Sequence, residues 1–464
     1  MRVLFLLHDW VIDPLGVGYL SSALKAAGHT VGIKKTAKMY TSDYQLAYTF
    51  KQWDIDYMPT EYREISDFHP DVLAYSVTTG WHQYYMQLNR ELKNWFPDTI
   101  SVFGGPHPTF FPEMVEEEGV DVIVQGEAEE TMVALMARLE TEWDRIKGSG
   151  KYIAHPQRLN QDLDSIAFPD RDLLYSYPEN RDNGIRNIML SRGCPFSCSY
   201  CYNGSYKKMY PGQQTLRYRS VHNVIEEAVQ LKKDYPNTRL IFFQDDEFIV
   251  NAAKLVQFAH YYKEEVGLPF HCQLRAEAMT TDKVRMLKDA GCVSVTFAVE
   301  TGNARIRETM LKRKMTNEHI TNCCVMLQNA GIAYRIENMI GLPGETIDEA
   351  LETLDLNIEC KPDVAFCSLF QPYPKTPLGD LCQEMCIWDG DPDGISKSFF
   401  DESTIKRDTA REFNNLQKLF GIVVEFPILR PFIRLLIKMP RTRLLAWVST
   451  KFRRWAYDRR LYHG

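Results

Sequence analysis

Short apolar runs alternate with amphipathic stretches from the start of the chain. VLFLL (3–7), TVGIKK (30–35), DVLAYSV (71–77), TISVFG (99–104) and VDVIVQ (120–125) have the length and β-branched content of buried strands. Between the first two, GYLSSALKAAG (18–28) predicts an amphipathic helix closed by Gly28. Residues 80–96 predict a second helix, ended by Pro97. Strands and helices alternating at this spacing predict an α/β, doubly wound, flavodoxin-like (Rossmann-type) domain over residues 1–145.

Residues 146–185 lack clean periodicity and hold several prolines after KGSGK, so they read as a linker. A second βα series follows. Its strands are RNIMLS (186–191), RLIFFQD (239–245), FHCQLRA (270–276), VSVTFAV (293–299), YRIENMIG (334–341) and DVAFCSLF (363–370). Helical patterns separate them. Six such strands are too few for a closed eight-stranded barrel, so residues 186–389 predict an open, partial (βα)6 barrel with its chemistry at the strand C-terminal ends. Residues 390–464 read as a mostly helical C-terminal region. From 430 onward they hold ten Lys/Arg and one acid, Asp458, interleaved with Phe432, Leu435, Leu444, Trp447 and Trp455. Two readings stand: a basic amphipathic pair making peripheral contact with an anionic membrane, or helices packed on the protein's own body, which is slightly favoured.

Composition narrows the class. The chain has 464 residues, 45% apolar and 25% charged, as a soluble globular protein of several domains does. A net charge of −7 gives no case for a nucleic-acid binder. The run Val3–Leu7 is too short for a secretory signal core, and no apolar run approaches the ~18 residues of a membrane span. The expected location is therefore cytoplasmic, where disulfides rarely persist. Eleven cysteines, an odd number, argue further against a disulfide framework.

The chemistry concentrates in LSRGCPFSCSYCYN (190–203), where Cys194, Cys198 and Cys201 form C-x3-C-x2-C. Three thiolates leave one coordination position open, whereas a closed structural zinc site needs a fourth ligand. No Cys or His pair at zinc spacing follows closely. An iron–sulfur cluster, zinc and chance remain the candidates. The triplet sits straight after the first strand of the second series, on the loop where such folds place chemistry.

With the aromatic Tyr200 before its last cysteine, this motif resembles the signature of the radical S-adenosylmethionine (SAM) superfamily. The resemblance implies a [4Fe–4S] cluster on the three cysteines, with the fourth iron free to chelate SAM. It also implies roles for the loops that follow each strand. Asp245, Asp246 and Glu247 of QDDEF (244–248) would meet the SAM amino group. Arg275 would pair with its carboxylate. Glu300 and Gly302 of VETGN (299–303) would contact the ribose and carboxylate. Gly341 of IGLPGET (340–346) would lie at the adenine, where glycine permits close backbone approach. The same resemblance extends to residue 385 or so and assigns the N-terminal domain to cobalamin. Its strand-end loops DPLGVG (13–18), SVTTG (76–80), GGPHPT (104–109) and GEAEET (126–131) would supply Leu15, Gly16, Gly18, Ser76, Thr78, Gly104, Gly105, His107, Gly126 and Glu127. The D-x-H-x-x-G motif of cobalamin mutases is missing from HDWVIDPLGVG (8–18). The resemblance therefore implies cobalamin without a histidine ligand from this loop, and His8 reads as a structural residue. A Rossmann-like module with another ligand is the competing view.

The activity implied is methyl transfer to an unactivated carbon through a 5′-deoxyadenosyl radical and methylcobalamin. Its partners would be a small-molecule or lipid-like substrate and a reductant such as flavodoxin or ferredoxin, and no nucleic acid. Radical ring formation, cyclisation or oxidation without net methyl transfer is the runner-up, as in the anaerobic magnesium-protoporphyrin monomethyl ester cyclase branch, which ETGNARIRETMLKRKMT (300–316) and FQPYPKTPLGD (370–380) resemble. A cobalamin-binding sensor without SAM cleavage is the third. No catalytic acid or base beyond the cofactor ligands is assigned.

Overall fold

The computed structural model describes residues 1–8, 10, 12–37, 58–149, 151–156, 158–248, 251–396, 398–400 and 402–460. They form two compact units, Met1–Asn183 and Gly184–Gly464.

The first unit is built on six parallel strands: β1 (Arg2–His8), β2 (Thr30–Ala37), β3 (Val72–Ser76), β4 (Ile100–Gly104), β5 (Val122–Val124) and β6 (Tyr152–Ala154). Their order is β2-β1-β3-β4-β5-β6. Successive residues of a strand face opposite sides, and here both sides are buried. Val3, Phe5 and Leu7 pack with Leu24 and Met136 on one side. Leu4 and Leu6 pack with Tyr85 and Leu92 on the other. Both faces being covered is why the strands are continuous apolar runs rather than alternating ones.

Two expectations are corrected here. The segment 146–185 is not a free linker. Tyr152–Ala154 pairs in parallel with β5, and the remainder folds back on the unit. Ser21 Oγ donates to Asp170 at 2.6 Å, and the Tyr175 hydroxyl donates to Asp13 at 2.7 Å. A three-residue strand followed by proline-rich chain is too short to carry a period. DPLGVG is likewise a loop only as far as Pro14, because the first helix runs Leu15–Ala26. Leu15, Gly16 and Gly18 therefore stand in its opening turns.

The second unit holds β7 (Ile185–Ile188), a short antiparallel pair β8 (Ser191–Arg192) and β9 (Arg217–Tyr218), then β10 (Leu240–Phe243), β11 (Phe270–Leu274), β12 (Cys292–Glu300), β13 (Ala333–Ile340) and β14 (Val364–Leu369). Six of these form one parallel sheet in the order β14-β13-β12-β11-β10-β7. Neighbours in sequence are neighbours in space, and β14 does not pair with β7, so the sheet is the expected open series. Residue 390 marks no break in packing. The helix Ala410–Glu425 sets Phe413, Leu416, Phe420 and Val423 into one core with Ile340, Leu354 and Leu369.

Candidate functional site

The cysteine loop leaves the end of β7 and is fixed from below by Asp245. That carboxylate accepts from the Leu190 N–H at 3.1 Å, the Ser191 N–H at 2.5 Å and the Ser191 hydroxyl at 2.5 Å. Burial pushes its carboxyl up to about 6 against the pull of these donors. Asp245 is thus committed to the chain, and of the QDDEF carboxylates only Asp246 and Glu247 remain for a ligand. Farther along, Gly193 has φ +83, and an added Cβ would lie 2.4 Å from the Thr215 carbonyl oxygen. No residue with a side chain lets the loop pass the approach to β9 so closely. The β8–β9 pair that forms this clamp is only two residues per strand and gave no sequence signal.

Cys198 is buried, while Cys194 and Cys201 are partly exposed. Cys201 caps the helix Tyr202–Met209, its sulfur 3.5 Å from the Asn203 N–H. Burial pushes the Cys194 thiol up to about 11 and raises Cys201 as well. Both need a neighbouring cationic metal to become thiolates. Among the described residues, no three His, Cys, Asp or Glu side chains gather around one point as a single ion requires. A cluster bound at three separate iron corners makes no such demand.

Arg275, just beyond β11, stands over this loop. Its guanidinium lies 3.7 Å from the Phe196 ring centroid, and Nη1 is 3.9 Å from Cys198 Sγ. Nε donates to Glu277 Oε1 at 2.6 Å, and the Arg275 N–H donates to Glu247 Oε1 at 3.2 Å. Glu247 and Glu277 each keep a buried second oxygen, Oε2, with no partner. Burial pushes Glu247 up to about 8 despite Arg275 nearby. Asp246 is exposed and accepts from Asn203 Nδ2 at 3.1 Å. Unpartnered buried acceptors beside a stacked guanidinium and three thiols fit a cluster-bound amino acid. The carboxylates suit its ammonium and Arg275 suits its carboxylate.

At the end of β12, the Tyr200 hydroxyl donates to Glu300 Oε1 at 2.6 Å. Arg313 Nη1 donates to the Tyr200 oxygen at 3.1 Å, and Nη2 to the Ala298 carbonyl at 2.6 Å. Glu300 has φ +67 and sits where the β12–β13 register shifts. Such backbone is unfavourable for a side-chain-bearing residue and persists only where surroundings hold it. Gly302 has a packing reason: an added Cβ would lie 2.5 Å from the Glu352 carbonyl oxygen. The Gly341 N–H donates to Glu345 Oε2 at 2.6 Å, and Arg407 Nη2 donates to the Gly341 carbonyl at 2.6 Å. Sequence reasoning missed Glu277, Arg313, Glu345 and Arg407. Arg313 lies in the charge run KRK, and charge runs ordinarily mark solvated faces.

In the first unit, the loops after β3, β4 and β5 are tied together. Gly105 has φ +95, and an added Cβ would lie 2.8 Å from the Val77 nitrogen. Thr109 Oγ1 donates to the Gly105 carbonyl at 2.7 Å and accepts from the Gly126 N–H at 2.9 Å. Ser76 ends β3 opposite Gly104, Thr78 is exposed and Glu127 is half-buried. An added Cβ at Gly16 meets nothing within 4 Å, so its backbone is bare, whereas at Gly104 it would touch Val124 at 3.5 Å. Gly18 is different: its missing side chain makes room for Pro169, 2.8 Å from an added Cβ. His107 is buried between the rings of His82 (4.0 Å) and Phe111 (4.7 Å), with Nδ1 3.1 Å from Thr79 Oγ1. His8 stacks on Trp81 at 4.5 Å, and its Nδ1 is 2.7 Å from the Tyr85 hydroxyl, the structural role expected of it.

Comparison with known proteins agrees with this division. The radical SAM superfamily model matches residues 188–356, and the B12 binding domain model matches residues 10–136. An uncharacterized methyltransferase of Pyrococcus horikoshii is 29% identical over 330 residues, which are 68% of this chain and 70% of that protein. The anaerobic magnesium-protoporphyrin IX monomethyl ester cyclase of Rubrivivax gelatinosus is 27% identical over 398 residues, 80% of this chain and 66% of that protein. The chain thus spans about two thirds of the length of these relatives. A solved structure of the cobalamin-dependent SAM radical enzyme OxsB, with aqua-cobalamin and SAM bound, superposes with a TM-score of 0.66 at 17% identity. It covers 98% of this chain and 72% of that one, and shows a shared fold.

Proposed function

Since the chain belongs to the cobalamin-binding radical SAM proteins, we propose that it is an enzyme that transfers a methyl group to an unactivated carbon of a small-molecule substrate. The cofactor set is a [4Fe–4S] cluster, SAM and cobalamin. Together these supply one-electron cleavage of a sulfonium and a carried methyl group; the protein contributes position and exclusion of water.

The observation that carries this reading is the cysteine loop with Arg275 over Cys198 and the unpartnered oxygens of Glu247 and Glu277 beside it. Cys194, Cys198 and Cys201 would hold the cluster. Arg275, kept in one plane by Phe196 and Glu277, would orient a carboxylate. Glu247, Glu277 and the exposed Asp246 would accept from an ammonium. Tyr200, Glu300 and Arg313 bind the loop to the end of β12, so the ligand groups are held before a ligand arrives, which lowers the ordering cost of binding. In the first unit, the bare backbone at Gly16, the strand end at Gly104 and the polar groups of Ser76, Thr78 and Glu127 would face cobalamin. His107 is occupied by its ring stack, and Gly18 by packing. A reductant such as flavodoxin or ferredoxin would deliver the electron.

Ring formation or oxidation without net methyl transfer is the second reading, favoured by the likeness to the cyclase over 80% of the chain. One experiment separates them. Protein reconstituted anaerobically with iron, sulfide and hydroxocobalamin is given SAM, reductant and candidate substrates, and both nucleosides are quantified by mass spectrometry. Equal release of 5′-deoxyadenosine and S-adenosylhomocysteine supports methylation. 5′-Deoxyadenosine alone moves the assignment to ring chemistry. Bound cobalamin with neither nucleoside overturns the enzyme reading in favour of a sensor.

A further inference from the structure

The helix Arg443–Arg460 carries apolar side chains on two sides, of which one packs on the body. One side of it packs inward through half-buried Leu445 and Phe452 and buried Ser449, Thr450, Ala456 and Arg453, whose guanidinium lies 4.2 Å from the Phe400 ring. A second set of large apolar side chains, Leu444, Trp447, Val448 and Trp455, is exposed. They recur at helical spacing and so form one stripe. Packing on the body uses the other side of the helix and leaves this stripe uncovered among the described residues.

The preceding segment adds further exposed apolar side chains. Ile428 is 80% exposed, Leu435 71% and Leu444 68%, with Phe426, Phe432 and Met439 also exposed. The Phe426 ring approaches Phe452 of the helix at 6.4 Å, which joins the two segments. Around these residues the charge is positive. Arg430, Arg434 and Arg441 are paired with Asp355, Asp348 and Glu402. Lys438, Arg443 and Lys451 have no acidic partner among the described residues. In a chain of net charge −7, residues 430–464 hold ten Lys/Arg and one acid. No helix of the described residues is long and apolar enough to cross a membrane. Exposed Trp, Phe and Leu interleaved with unpaired cations suit the boundary between headgroups and acyl chains.

We propose that residues 426–455 dock the protein on an anionic lipid bilayer, lying in the headgroup region without spanning it. Leu435, Leu444 and Trp447 enter the acyl boundary, and Lys438, Arg443 and Lys451 meet lipid phosphates. This rests on the surface alone and stands whatever reaction the enzyme performs.

The test is co-sedimentation of the full chain with vesicles of phosphatidylcholine alone or with 30 mol% phosphatidylglycerol, alongside light scattering without lipid. The expected result is a monomer that binds only the anionic vesicles and is released by about 0.5 M NaCl. At about fivefold per surface cation, the Lys438→Gln/Arg443→Gln/Lys451→Gln variant should bind on the order of 100-fold more weakly. Leu435→Ser/Leu444→Ser/Trp447→Ser, all at exposed positions, should abolish binding while keeping the wild-type far-UV spectrum. Equal binding to neutral vesicles, or none to either, would overturn the proposal. So would a concentration-dependent dimer dissolved by the same serine variant, which would assign the face to a second copy of the chain.

Discussion

The Tyr200 hydroxyl donates to Glu300 Oε1 at 2.6 Å across 100 residues of chain, tying the cysteine loop to the end of β12. Burial holds the Glu300 carboxyl above its usual range, while Arg313 and this hydrogen bond pull it down. Tyr200→Phe removes one buried donor and leaves Glu300 with Arg313 at 3.8 Å. A loss of about 1–3 kcal/mol is expected, read from urea midpoints of the cluster-free protein. Less bound iron after reconstitution should accompany it. An unchanged midpoint would mean the loop is held elsewhere.

Arg275 and Glu277 form a buried pair whose second carboxylate oxygen is unpartnered. Removing one partner leaves the other charge stranded, at a cost of about 3–5 kcal/mol. Arg275→Gln should therefore destabilise more than Arg275→Gln with Glu277→Gln. Both should lose SAM affinity, measured by calorimetry on the reconstituted protein. Additive stability losses in the double variant would contradict the pairing.

Gly302 was read from the sequence as a cofactor contact, yet its environment is backbone of the helix Ile347–Cys360. Gly302→Ala cannot be relieved by rotating a side chain and should cost about 1–3 kcal/mol as overpacking does. Gly16→Ala meets open space and should leave stability unchanged. Its effect, if the loop faces cobalamin, is on cobalamin retained after gel filtration.

Glu345 gives a pH dependence of definite sign. Burial pushes its carboxyl from 4.5 up to about 7, against the N–H donors of Gly341 and Leu342. Between these values the folded chain holds a proton that the unfolded chain has released. Its contribution is full below 4.5 and is lost as pH rises through 7, on the order of 3 kcal/mol. Asp245 and Glu247 are raised too and act in the same direction. Urea midpoints at pH 5 and pH 8 should converge in Glu345→Gln relative to the unaltered chain. An identical difference in both proteins would exclude Glu345 as a source.

Long elements and the local motif were legible because each carries its own signal. Every strand of the two parallel series but Tyr152–Ala154 was placed by its apolar run, and Cys194, Cys198 and Cys201 by spacing. Tyr152–Ala154 was missed because three residues have no period, and β8–β9 for the same reason. Arg313 and Arg407 were invisible because their partners are distant in sequence: Arg407 reaches the Gly341 carbonyl 66 residues away. Asp245 was read as a ligand contact because a carboxylate run looks alike whether it faces solvent or backbone. Only the fold shows that it accepts from Leu190 and Ser191. The outward apolar stripe of Arg443–Arg460 was legible as a pattern, but which side packs on the body was not.

The central claim is that the three-cysteine loop carries a SAM-cleaving cluster. Release of 5′-deoxyadenosine by anaerobically reconstituted protein, compared with Cys198→Ala prepared identically, tests it most directly. Reductant-dependent release is expected from the unaltered chain and none from the variant, which should also lose the iron–sulfur absorbance near the visible edge while keeping its far-UV spectrum. Equal release by both, or a chain that retains zinc and no iron–sulfur cluster, would contradict it.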